Sequence, residues 1–82
     1  MQMNFTHTNE VKRISKKIFA DLYSNKVTKF VIGNAYFFLN DDNEVCFQTA
    51  DFKIQFTTMS FVDVLQVVTV FEAFGTFEVI KL

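Results

Sequence analysis

The stretch Ser60–Gly75, S-F-V-D-V-L-Q-V-V-T-V-F-E-A-F-G, is the longest nearly uninterrupted apolar run in the chain, and its reading decides the fold. Ser60 stands three residues ahead of Asp63, the S-x-x-D form of a capping box, which satisfies backbone donors left orphaned in a first helical turn. Gly75 suits the left-handed position that commonly closes a helix. At about 100° per residue, Phe61, Val64, Val67, Val68, Phe71 and Phe74 fall within one half of the circle. Asp63, Gln66, Thr69 and Glu72 spread over the other half, with Val62, Leu65, Val70 and Ala73 interleaved among them.

Six β-branched residues in this run favour a strand. A single strand of about fourteen residues would far exceed the usual length of roughly five or six. Two-residue alternation would also place polar groups on both faces. The spacing therefore predicts a largely buried helix whose apolar half joins the core. Val62, Leu65, Val70 and Ala73 are left as a candidate partner interface, with the cover of a second element of the chain as the other way to use them.

Before this segment, hydrophobic spacing changes once. Thr8 to Ser24 reads as a first helix, with Thr8 as cap, Glu10 near the positive end, and Val11, Ile14, Ile18 and Leu22 as one stripe. Opposite lie Lys12, Arg13, Lys16 and Lys17, flanked by Phe19 and Tyr23. Such a face is ordinarily a solvated exterior whose long stems cover apolar surface. The sharper alternative makes these six residues a contact for an anionic partner, with phosphates on the cations and bases stacked on the rings.

From Lys26 the period becomes two. Val27–Ile32, Ala35–Leu39, Glu44–Thr49 and Phe52–Thr57 read as four antiparallel strands on short links. Gly33-Asn34 is a two-residue hairpin signal. Ala35–Leu39 is apolar on both faces, as in a central strand. Phe52, Ile54 and Phe56 are expected to point inward, and Thr76–Leu82 to form a final strand with Phe77 and Val79 on one face. The expected architecture is a single α+β domain over residues 1–82, in the order α-β-β-β-β-α-β.

Composition narrows the function classes. Twelve phenylalanines in 82 residues are a heavy aromatic load, so rings at the surface and self-association are expected. Residues 1–29 hold six basic side chains against two acidic ones, whereas the remainder holds two against seven. A basic front and an acidic back suit contacts within the monomer, between copies, or with separate partners. Cys46 is alone, which excludes an internal disulfide and fits a reducing interior. No signal-peptide pattern opens the chain and no run reaches a membrane-spanning length, so a cytoplasmic protein without membrane contact is expected.

No chemistry-bearing spacing emerges. His7 lacks companion ligands, and Asp41, Asp42 and Glu44 lack the glycine and distant glutamate of a calcium loop. A lone histidine and a lone cysteine give no nucleophile with its base, so no enzyme activity, metal or cofactor is expected. A pocket walled by phenylalanines for an apolar ligand is outweighed by close packing of the same rings.

These observations point to a small non-enzymatic protein-interaction module, self-associating and dimeric. The scarcity of Gly, Ala, Arg and Pro beside Phe, Lys, Asn and Ile suggests an AT-rich genome. That bias allows a phage or mobile-element regulator or inhibitor of a larger host protein. The alternative is nucleic-acid binding through the basic face of the first helix, against which the acidic remainder counts.

Overall fold

Thr8 opens helix α1 (Asn9–Tyr23) by accepting the Val11 N–H on its side chain at 3.1 Å. The computed structural model describes residues 8–77. The lead-in with His7 and residues 78–82 of the expected last strand lie outside them. Val11, Ser15, Ile18 and Leu22 form the buried stripe of α1, and Ile14 is half-buried beside it. After Ser24 the chain stays tied to the helix end, with Lys26 N–H donating to Asp21 O at 2.9 Å and Val27 N–H to the same oxygen at 3.4 Å. The first strand therefore begins at Phe30 and not at Val27.

Four strands follow as an antiparallel meander: β1 (Phe30–Ile32), β2 (Ala35–Leu39), β3 (Val45–Thr49) and β4 (Gln55–Phe56), in spatial order β1-β2-β3-β4. Pairing of Phe30 with Phe37, Phe37 with Phe47, and Phe47 with Phe56 lines up one aromatic row across the sheet. With Ala35, Leu39 and Val45, this row makes the packed face. Tyr36, Phe38, Cys46 and Gln48 take the opposite one by alternation.

Gly33, at φ +59°, supplies the left-handed backbone of the β1–β2 turn. Asn40 builds the next turn, its Oδ1 accepting the N–H groups of Asp42 at 2.9 Å and Glu44 at 3.0 Å. The Asn40 amide thus initiates the turn; Asp42 contributes a backbone N–H, and Glu44 contributes a backbone N–H and a side-chain oxygen that accepts from Asn40 Nδ2 at 3.1 Å.

The alternation expected over Phe52–Thr57 is corrected by the structure. Only Gln55–Phe56 is strand, and Phe52 points outward, 65% exposed at φ +63°. Thr49 causes this: its N–H donates to Ile54 O at 3.0 Å and its hydroxyl accepts Ile54 N–H at 3.1 Å, closing a loop over residues 50–53.

Helix α2 (Phe61–Phe74) has both expected ends. Ser60 Oγ accepts Asp63 N–H at 3.2 Å, Asp63 Oδ2 accepts Ser60 N–H at 2.9 Å, and Gly75 closes the helix at φ +69°. Val64, Val67 and Val68 are buried and Phe71 half-buried, whereas Phe74, expected in the same apolar half, is 61% exposed. It stands on the last turn, where the core has already ended. Helix α2 packs along α1, and α1 lies on β1 and β2. Phe77 returns to the centre, 4.8 Å from Phe47 and 5.1 Å from Phe71 between ring centroids.

One buried group is out of keeping with this core. Ser15 is 0% exposed and its hydroxyl has no hydrogen-bond partner among the described residues. Leaving a buried hydroxyl unsatisfied costs about 1–3 kcal/mol, and alanine is also the better helix former. Ser15→Ala should stabilise the fold by about 1–2 kcal/mol, read as a higher urea midpoint at unchanged slope.

Candidate interaction surfaces

On α2, the four expected interface residues separate. Val62 is 57% exposed, Ala73 is exposed and Val70 is half-buried, whereas Leu65 packs against the core. The cause is the position of α1: the Phe19 and Phe61 rings meet at 5.6 Å, so the side of α2 carrying Phe61, Leu65 and Val68 faces α1. The free flank instead carries Asp63, Gln66, Val70, Ala73 and Phe74. Phe74 escaped sequence reasoning because a helical wheel carries no information on where along its axis the core stops.

A cavity of about 240 Å³ opens beside this flank, lined by Phe56, Thr57, Met59, Asp63, Gln66 and Val67. Another, of about 280 Å³, lies by the end of α1 and is lined by Leu22, Asn25, Val27, Thr28, Leu39, Asn40 and Asn43. Only Phe56 among the phenylalanines lines either. The remaining core rings close on each other, with Phe37 4.9 Å from Phe47.

The six residues expected to face an anionic partner divide into two groups. Arg13 Nη2 lies 2.6 Å from Glu10 Oε2, and Lys17 Nζ lies 3.2 Å from Asp21 Oδ2. Hydrogen bonding to Glu10 and its charge raise the Arg13 pKa further. Lys12 and Lys16 have no ion-pair partner among the described residues. They share a stripe with Phe19 and Tyr23, at i, i+4, i+7 and i+11. The two rings are stacked at 6.1 Å, and Tyr23 is anchored by donating its hydroxyl proton to Asn43 O at 2.8 Å.

On the far sheet face, Lys29 Nζ sits 4.5 Å from the Tyr36 ring centroid, and Gln48 Nε2 donates to Tyr36 Oη at 2.6 Å. Cys46 belongs to this face, yet it is only 2% exposed, with Sγ 3.6 Å from Glu44 O.

The β3–β4 loop is held at its base by Asp51, whose Oδ1 accepts from Thr49 Oγ1 at 2.7 Å and from Lys53 N–H at 3.0 Å. The Thr49 bond and then the Lys53 backbone bond hold this carboxyl below its ordinary range. Phe52, between the two anchors, presents its ring to solvent.

Among the described residues, no three His, Cys, Asp or Glu side chains are placed to hold a metal ion, and no helix is long and apolar enough to cross a membrane. No protein-family model, curated protein or solved structure matches the chain.

Proposed function

We propose that the chain is a non-enzymatic protein-interaction module that pairs with a second copy of itself, with the free flank of α2 at the contact. The supporting observation is the pair Val62 and Phe74, 57% and 61% exposed on a helix whose opposite side is core. Burying such side chains is worth about 1.5–3 kcal/mol each, and among the described residues no further element covers them. Val70 and Ala73 complete the patch between them.

Solution mass tests this. The wild-type chain should be dimeric at tens of micromolar, and Phe74→Asp combined with Val62→Asp should return it to monomer without loss of helicity. Leu65→Glu is unsuitable, because Leu65 packs on the core and its loss would report folding. A wild type that stays monomeric through the same range overturns the proposal.

A second reading, direct binding of single-stranded nucleic acid, is favoured by the shared stripe of Lys12, Lys16, Phe19 and Tyr23. It predicts salt-sensitive retardation of an oligonucleotide that Lys12→Glu with Lys16→Glu abolishes. With Arg13 and Lys17 already engaged by acids, two cations remain for phosphate, fewer than a dedicated binder uses.

A further inference from the structure

Phe52 carries two costs that a turn residue normally avoids. Its backbone is left-handed, a region that glycine and asparagine enter easily and a bulky side chain does not. Phe52 is 65% exposed, so little burial is gained to offset that strain. The loop nevertheless fixes it firmly, through Thr49, Asp51 and Ile54. Glycine at this position would satisfy the backbone of the loop better. Backbone strain of this kind concentrates at ligand clamps and contact sites.

We propose that Phe52 is a docking finger for a second copy of the chain, its ring entering the cavity beside α2 and its neighbour Lys53 meeting Asp63 there. This rests on the self-association proposed above and assigns its anchor. Three observations select that occupant.

The first is size and chemistry. At about 240 Å³, the cavity is smaller than the roughly 300–1,000 Å³ of drug-sized ligand sites and suits a single side chain. Phe56, Met59 and Val67 give it apolar walls, and methionine sulfur packs well against an aromatic ring.

The second is charge. Lys53 follows the finger directly, and Asp63 lines the cavity. Asp63 Oδ2 is held by Ser60 N–H in the helix cap, so a second cation would be met by the other carboxylate oxygen.

The third is area. A stable dimer buries about 800 Å² on each partner. The flank of a 14-residue helix, about 21 Å long, presents only a fraction of that. Phe52 precedes β4 in the chain and Thr57 and Met59 of the cavity follow it, and across a two-fold axis each copy would insert its Phe52 into the other, so that the same contact counts twice.

The test uses the full chain. Phe52→Gly should raise the melting temperature, because the turn relaxes. It should also weaken dimerisation by on the order of thirtyfold, the scale of losing an aromatic hot spot. Lys53→Glu should weaken it as well, by repulsion from Asp63. A benzophenone-bearing residue at position 52 should, on irradiation, join the partner's peptide containing Met59. A dimer whose affinity is unchanged by Phe52→Gly overturns the finger while leaving self-association standing. A monomeric wild type overturns both. A crosslink confined to the residue's own chain also overturns the finger.

Discussion

Phe47→Ala should leave the chain largely unfolded at room temperature. Among the described residues, Phe47 is the one ring in contact with three others, Phe37 at 4.9 Å, Phe56 at 6.0 Å and Phe77 at 4.8 Å between centroids, and it is 1% exposed. Truncating a buried phenylalanine costs about 3–5 kcal/mol, the lost transfer energy plus the cavity left behind. A domain of this length has only about 4–12 kcal/mol to lose. The strand β3 that carries it is paired on both sides, so the neighbouring backbone has little freedom to collapse into the void. Circular dichroism against urea should show the midpoint fall towards zero. Phe47→Leu, which retains most of the volume, should cost roughly 1–2 kcal/mol and keep a cooperative transition. If Phe47→Ala unfolds within about 1 kcal/mol of the wild type, the ring cluster is not the core.

Gly33→Ala should be the most damaging substitution outside that cluster. Two independent effects act at this position. The backbone at φ +59° costs an L-residue about 1–2 kcal/mol. A Cβ would also sit 2.8 Å from Phe71 Cζ, so the ring of α2 must give way, at about 1–3 kcal/mol for overpacking. Together they amount to about 2–5 kcal/mol. The parts separate in a double-mutant cycle with Phe71→Leu. In that background the glycine substitution should cost only the backbone share, because the obstructing ring is gone. Gly75→Ala provides the contrast, since nothing lies within 4 Å of a Cβ there and only the left-handed backbone resists. Equal losses at the two glycines would show that the Phe71 contact carries no energy.

The parts of this fold legible in the sequence were those specified by local chemistry. Ser60, Asp63 and Gly75 marked both ends of α2 although six of its residues prefer strands, because end signals and length outweigh weak propensity. Gly33-Asn34 gave the first hairpin for a similar reason: few residues allow that turn. What escaped depended on distant partners. Phe52 belongs to a faultless alternation with Ile54 and Phe56, and only the closure of Thr49 onto Ile54 shows that the pattern is interrupted. Phe74 has the correct helical angle for the core but lies past its end. Leu65 has an outer angle on the wheel, yet α1 covers that side through the Phe19–Phe61 contact. The helix that carries the candidate surface was therefore legible, and the exposure of its individual residues was not, since neighbours across space decide which side of a helix is free.

Cys46 sits on the sheet face turned away from the helices, and it is sealed all the same. A water-soluble thiol reagent can reach its sulfur only when its cover moves aside, so the labelling rate is a clock for local opening. Being the chain's single cysteine, it reports without background. When reclosing outpaces the reagent, that clock reads the free energy of opening; at high reagent it reads the opening rate itself.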